Sequence, residues 1–476
     1  VTPYYETPVT RLYQADAPIA NGNGQYRQFL DAKAQVGSLH GFDDVELPQF
    51  LYDFQRALVE WAIKKGRAGL FADCGLGKTP IQLVWADTIR KKTNKPVIIL
   101  TPLAVSHQTV TEGQKFGVEV SRSSDGKHGA GITVTNYERL HHFDSTDFAG
   151  VVCDESSILK SFDGQRRASI TDFMRTVPYR LLCTATAAPN DYVELGTSSE
   201  ALGELGHIDM LTQFFINDQA TASPNRVWDG ATWRFKHHGE QPFWRWVSSW
   251  ARAMRRPSDM GFSDSDFVLP PLKVQQEVMR AKRVKPGMLF DVAAVGLWEE
   301  REVRRRTINE RCEVAAAKAN ATNAPVVMWC HLNDEGNVLV SMVPGSVQVS
   351  GADSDDAKEA KFRAFQEGSI RVLITKPKIG AFGLNWQHCA HLTYFPSHSY
   401  EQYYQAVRRC WRFGQTRPVT VDLISTDGDA RVVANLQRKA DAADRMFSDL
   451  VKHMADEMSV QRTREYTGEV RTPSWL

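Results

Sequence analysis

The stretch Ala72-Asp73-Cys74-Gly75-Leu76-Gly77-Lys78-Thr79 sets two glycines, a lysine and a threonine between an apolar run and a helical pattern. Glycines let backbone N–H groups close on phosphate oxygens, with a helix N-terminus behind them. In such a loop Lys78 meets the β- and γ-phosphates of a nucleoside triphosphate, and the Thr79 hydroxyl is offered to Mg2+. Ala72 stands where the general pattern has glycine. Two carboxylates, Asp154 and Glu155, follow the apolar run Ala149–Cys153, and the C-terminal end of a buried parallel strand is where ligands of open α/β sheets collect. Phosphoryl transfer to water needs a carboxylate near the metal and a group that orients or deprotonates the nucleophile; this pair can supply both. Arg408, Arg409 and Arg412 crowd three guanidinium groups into one helical turn, which calls for a facing anion.

These groups need a scaffold. A helical pattern from Phe50 (Phe54, Leu58, Trp61, Ala62) leads into Gly69–Ala72, the glycine-bearing loop and a helix from Pro80. Continuous apolar runs follow at Val97–Leu100, Ile132–Val134, Val151–Cys153 and Arg180–Cys183, as expected of parallel strands covered on both faces. From Gly206 to Pro271 the rhythm lapses and five tryptophans gather (228, 233, 244, 246, 250); a helical insertion is expected, with Ser263–Pro271 as a linker. Phe243, Val247 and Trp250 share a helical stripe that reads as core. A long charged helix is expected over about 289–320. A second strand series follows at Val326–Cys330, Val347–Ser350, Val372–Thr375, Leu392–Phe395 and Val419–Ile424, then a helical tail over 430–458. Two α/β units of similar size are implied.

At 476 residues, 42% hydrophobic and 24% charged, the chain has room for about three compact units. Its 57 basic and 56 acidic residues leave a formal charge of +1, which excludes neither nucleic acid nor small anions. Seven scattered cysteines without zinc-like spacing argue against a disulfide scaffold or zinc finger and fit a reducing cytosol. No leader or membrane-spanning run is legible. Basic clusters at Arg252–Arg256, Arg280–Lys285 and Arg301–Arg306 could neutralise phosphates. The last is interleaved with Glu299, Glu300, Glu302 and Glu310 and equally suits a salt-bridged helix. His237-His238 makes a poor metal site, since adjacent side chains diverge on most backbones.

Further motifs fall in order around the loop and the acidic pair. They are Tyr52-Asp-Phe-Gln55, Thr101-Pro102-Leu103, Thr135-Asn136-Tyr137-Glu138-Arg139, Asp154-Glu-Ser-Ser-Ile-Leu159-Lys160 and Thr184-Ala-Thr186 with Asn190, Glu194 and Leu195 downstream. Gly380-Ala-Phe-Gly383-Leu-Asn385 and Gln405-Ala-Val-Arg408-Arg409-Cys-Trp-Arg412-Phe-Gly414-Gln415 complete the series. From about Phe50 to Ile424 this order resembles the superfamily-two helicases and translocases, particularly the Snf-type DNA-dependent ATPases and helicase-like proteins of bacteriophages. The resemblance implies that Gln55 reads adenine and that Gly75, Leu76, Gly77, Lys78, Thr79, Gly383 and Gln405 border the nucleotide. It also implies that Thr79 and Asp154 hold Mg2+, and that Lys78, Asp154, Glu155, Arg409 and Arg412 form the catalytic set. Pro102, Thr135, Tyr137, Thr184, Thr186 and Thr375 would touch nucleic acid. Four positions depart from the pattern: Ser156-Ser157 replaces Ala-His or Gly-His, Ala187 replaces a proline, and Arg408 stands where an acidic residue is common.

The expected architecture is α/β, with two RecA-like parallel-sheet domains in tandem and an aromatic-rich helical insertion between them. The boundaries are an N-terminal arm (1–44), an ATP-binding domain (45–205), an insertion and linker (206–270), a second domain (271–430) and a helical tail (431–476). The expected activity is hydrolysis of ATP with Mg2+ coupled to movement on DNA, duplex favoured over single-stranded, by a monomeric cytoplasmic protein without a membrane partner. Strand separation on single-stranded or forked DNA or RNA is the nearest alternative. A non-motor ATP-gated clamp belongs to another class, and a small-molecule kinase would leave the second unit without a purpose.

Overall fold

The computed structural model describes residues 39–43, 45–160, 164–188, 192–217, 233–279, 297–381 and 384–462, all within one compact unit, Ser38–Leu476. Asn190, Trp228, Gly383, the cluster Arg280–Lys285 and nearly all of the arm 1–44 lie outside the described residues.

The first lobe is built on β1 (Arg67–Ala72), β2 (Val97–Thr101), β3 (Val120–Arg122), β4 (Ile132–Asn136), β5 (Gly150–Asp154) and β6 (Tyr179–Cys183). A two-stranded antiparallel ribbon follows, β7 (Phe215–Asn217) with β8 (Trp233–Phe235), and then β9 (Ala251–Met254). The large sheet runs β3-β4-β2-β5-β6-β1-β9, with every pairing parallel. Successive residues bury on opposite faces. Phe71, Ile98, Leu100, Val151, Cys153 and Leu182 enter one core; Leu70, Ala72, Val97, Ile99, Val152 and Leu181 enter the other. Both faces are covered, so the strands read as continuous apolar runs rather than alternations.

The aromatic segment differs from the expected insertion. Its helix Glu240–Trp250 buries Phe243, Trp244, Val247 and Trp250 in the first lobe's core, and the chain leaves that helix directly into β9, the sheet's seventh strand. Four residues after an aromatic helix carry too short a pattern to announce a strand. Trp246, Trp250 and Phe71 interlock edge to face, so this segment builds the first lobe rather than standing between the two.

The second lobe contains β10 (Leu272–Met279), β11 (Val326–Trp329), β12 (Val347–Val349), β13 (Val372–Thr375), β14 (His391–Tyr394) and β15 (Val419–Thr426) in the order β10-β15-β14-β11-β13-β12, again all parallel. Val327 and Trp329 enter one core and Val326 and Met328 the other. The long charged helix resolves into Leu297–Arg306 and Ile308–Asn320, broken at Thr307. Its arginines serve the fold: Arg304 donates to Pro396 O at 2.6 Å, and Arg311 pairs with Glu335 at 2.7 Å in full burial. Arg252 likewise donates to Ala251 O and lies over the Trp61 ring. Arg252 and Arg304 are therefore committed inside the protein, whereas Arg256, Arg301 and Arg305 of the same clusters remain exposed.

The tail forms one helix, Ala430–Arg462, about 50 Å long. Its start packs on the second lobe through Val433. Further along, Met446, Phe447, Leu450 and Met454 are buried in the first lobe's core, and Asp444 meets Arg255 at 2.7 Å. One continuous helix thus spans both lobes. No helix among the described residues is long and apolar enough to cross a membrane.

Candidate nucleotide site and the seam between the lobes

The phosphate-type loop leaves the C-terminal end of β1 and enters the helix Lys78–Thr93, whose N-cap Gly77 has no side-chain cap. Orphan N–H groups of a first helical turn and the dipole behind them favour an anion there. Two glycines are demanded by position. Gly77 has φ +75°, and a Cβ on it would fall 2.2 Å from Gln55 Nε2; Gly75 has φ +91°, with Phe413 N 2.7 Å from where its Cβ would be. Gln55 is buried and donates to Leu76 O at 3.0 Å while accepting from Tyr52 N, so it braces the loop. Lys78 Nζ donates to Ala72 O at 2.9 Å and to Asp73 O at 3.3 Å.

Asp154 ends β5, one strand removed from β1 across β6. Its Oδ1 accepts from Gln82 Nε2 at 2.6 Å, and Gln82 lies one turn after Lys78 on the same helix. Burial first, and Glu155 beside it, push the Asp154 carboxyl up to about 6 against the pull of Gln82 and Lys78. Glu155 sits at φ +51°, a left-handed conformation that costs a non-glycine residue about 1–2 kcal/mol. That strain turns the chain sharply off the strand end and puts the second carboxylate in the seam, where Gln405 Nε2 of the other lobe donates to its Oε2 at 3.4 Å.

The other lobe reaches in through the short helix Tyr400–Val407 and the residues after it. Glu401, Tyr404, Gln405 and Arg408 stand at i, i+3, i+4 and i+7, one helical face, and each contacts the first lobe. Thr186 Oγ1 donates to Glu401 Oε1 at 3.3 Å, and Lys160 Nζ pairs with that carboxylate at 3.3 Å while donating to Thr186 O at 2.8 Å. Tyr404 OH donates to Asp73 Oδ1, and Arg408 Nη2 pairs with Asp73 Oδ2. Arg409 donates to Leu384 O at 3.0 Å and to Gln405 Oε1 at 2.9 Å, and lies 3.7 Å from Cys74 Sγ. Arg412 donates to Leu384 O at 3.2 Å, and its buried Nε lacks a partner. Burial, then the neighbouring guanidinium groups, pushes Arg408 down to about 9 and Arg412 down to about 10.

A cavity of about 480 Å³ opens where these parts meet. Gln55, Gly75, Gly77, Lys78, Thr79, Asp154 and Glu155 line it from the first lobe, and Arg409, Arg412 and Phe413 line it from the second; Phe50, Tyr52, Phe116 and Phe267 add an aromatic end. The Thr79 hydroxyl and the Asp154 carboxylate beside a phosphate loop fit Mg2+, which binds through one or two carboxylates plus substrate phosphates and keeps several waters. Gln405 and Leu76 stand behind this lining, each bonded to a residue in it.

The residues expected to touch nucleic acid are less united. A second cleft of about 1170 Å³ between the lobes is lined by Pro102 and Tyr137, with Glu155, Lys160, Lys378 and Glu401. Tyr137 is nevertheless almost wholly buried, donating its hydroxyl to Asp154 O. Thr135, Thr184 and Thr375 are also buried; Thr375 donates to Val349 O and Thr184 accepts from Thr186 N. The Thr184 and Thr375 hydroxyls thus bond to backbone at the strand ends, while the Thr135 hydroxyl is buried without a hydrogen-bond partner. Thr186 bridges the lobes instead.

The sequence alone does not single out Tyr404, Glu401, Lys160 or Gln82 as site residues. The i, i+3, i+4, i+7 spacing of polar residues before the arginines, and a glutamine one turn after Lys78, are the signals that could have found them.

No protein-family model matches the chain, and no curated protein matches it. Among solved structures, the chain matches S. cerevisiae Dbp5 bound to RNA and ADP BeF3 with a TM-score of 0.53 and 12% sequence identity, covering 84% of this chain and 93% of that one. The two α/β lobes thus have the two-RecA-like-lobe fold of Dbp5.

Proposed function

We propose that the chain is an ATP-driven motor that hydrolyses Mg-ATP at the seam between its lobes and moves along DNA, with duplex as the favoured track. One observation carries this reading: a single cavity brings Lys78, Thr79, Asp154 and Glu155 of one lobe against Arg409 and Arg412 of the other. A two-sided arrangement of this kind makes hydrolysis depend on closure. The loop N–H groups and Lys78 hold the phosphates. Glu155, braced by Gln405, orients or deprotonates the attacking water. Arg409 and Arg412 stabilise charge on the transferred phosphoryl group. Mg2+, held by Thr79 and Asp154, supplies neutralisation of the phosphate oxygens.

Loss of the γ-phosphate removes what the second lobe's arginines grip, and the lobes relax. The helix Tyr400–Val407 carries that movement to Lys160 and Thr186 on the first lobe. Lys160 and Glu401 line the larger cleft, so nucleotide state and cleft shape are joined through one helical face. The duplex preference rests on the resemblance to Snf-type proteins, in which a Leu-Lys such as Leu159-Lys160 follows the acidic pair. Dbp5 was solved with RNA, so RNA belongs in the test.

The deciding experiment is ATP turnover by the full chain with single-stranded DNA, duplex DNA, forked DNA or RNA, alongside displacement of a triplex-forming strand. Stimulation by duplex and triplex displacement are expected. Stimulation by RNA alone would replace the DNA reading, and turnover indifferent to every polynucleotide would end the motor reading.

A further inference from the structure

Asp73 places a carboxylate inside a loop built to hold phosphates. Its backbone carbonyl accepts from Lys78 Nζ at 3.3 Å, its N–H donates to Met254 O at 2.9 Å, and its Oδ1 accepts from Cys74 N at 2.5 Å. A negative charge there opposes binding of a polyphosphate. In this structure the charge is compensated from the other lobe: Arg408 pairs with Oδ2 and Tyr404 OH donates to Oδ1. The pair is sealed, with the Arg408 and Asp73 side chains 6% and 4% exposed. Arg408 itself is fixed from behind by Trp411 O at 3.2 Å and by stacking on the Trp411 ring.

Both external partners of the carboxylate therefore arrive and leave with the second lobe. With the lobes together, the loop carries an ion pair and tolerates phosphate. When the lobes part, Arg408 and Tyr404 leave, and Asp73 remains in the phosphate loop as an uncompensated charge. We propose that Asp73, Arg408 and Tyr404 form a closure-dependent charge gate that expels the nucleotide when the lobes open. The gate rests on the nucleotide-site reading above and adds to it a route for product release. Arg408 and Asp73 are positioning residues here, acting on the loop's charge rather than on the reacting atoms.

The test is release of fluorescently labelled ADP from the full chain by stopped flow, with Kd measured in parallel. R408M leaves Asp73 without its cation in every state and should speed ADP release at least about tenfold, the effect of a unit charge even about 12 Å from the phosphates at an effective dielectric of about 20. D73N removes the repelling charge and should slow release below the wild-type rate. D73N/R408M should release ADP as slowly as D73N, below the wild-type rate, because no charge is left to expel the nucleotide when the lobes open. A mere latch between lobes predicts the opposite, with D73N opening the seam and the double variant releasing ADP as fast as R408M or faster. Either result overturns the gate. Should R408M fail to fold, D73N decides alone, since release as fast as wild type refutes the proposal. Wild-type protein that binds no ADP would overturn the nucleotide-site reading itself, a failure distinct from normal binding with additive variants.

Discussion

Gly75→Ala probes the seam with a methyl group. Gly75 has φ +91°, and the new Cβ would stand 2.7 Å from Phe413 N and 3.0 Å from Phe413 Cβ. Gly117 provides the control: φ is +70° there and nothing lies within 4 Å of an added Cβ. Both substitutions incur the left-handed backbone cost of about 1–2 kcal/mol. Only Gly75→Ala adds overpacking, about 1–3 kcal/mol, and the obstacle includes backbone that cannot rotate aside. Parting the lobes relieves it most cheaply. The cost then falls on closure rather than on folding, because Arg409 and Arg412 withdraw from the cavity. One to three kcal/mol of lost closure corresponds to a kcat about 5- to 150-fold lower. ATP turnover at saturating nucleotide and DNA, with thermal melting alongside, reads this directly. The two variants should melt within a few degrees of each other while their kcat values separate. A change confined to KM would mean that only the loop's grip on phosphate had suffered. Equal kcat values for the two variants would refute the reasoning.

Lys78→Ala and Glu155→Gln should each abolish ATP turnover with circular dichroism and melting preserved; undiminished turnover in Glu155→Gln would remove its assigned role in orienting or activating water. Phe447→Ala, in the tail helix buried against the first lobe, should cost about 3–5 kcal/mol in urea unfolding, and a loss below about 1 kcal/mol would show that the helix does not anchor there. Glu335→Gln breaks the buried pair with Arg311 and should cost about 3–5 kcal/mol at neutral pH. Burial alone would raise the Glu335 carboxyl, but Arg311 and the N–H groups of Leu332 and His331 outweigh it and hold it below its ordinary 4.5. Its contribution is thus present above 4.5 and lost as pH falls through the lower folded value. Unfolding free energies of wild type and Glu335→Gln should converge in that acid window, and a gap constant down to pH ~3 would contradict the assignment.

The sequence by itself carried what depends on local chemistry and on burial from both sides. The loop from Ala72 to Thr79, the acidic pair after β5, and most central strands of both sheets were legible because continuous β-branched runs and glycine–lysine spacing belong to few local structures. Of their four edge strands, β3, β9, β10 and β12, only β12 was legible. β10 places Lys273, Gln275 and Glu277 among exposed valines, since one side of an edge strand meets solvent, and β9 is four residues attached to an aromatic helix. Which arginine does what was also decided only in three dimensions. Arg408, Arg409 and Arg412 are chemically alike, yet one meets Asp73, one meets Cys74 and Gln405, and one meets Leu384 O. Guanidinium roles are set by the partners that the fold presents, and Asp73, Cys74 and Leu384 are remote from the arginines in sequence. The threonines of the strand ends show the same limit: a hydroxyl near a ligand-binding edge faces outward or inward according to strand register, and here Thr135, Thr184 and Thr375 are buried.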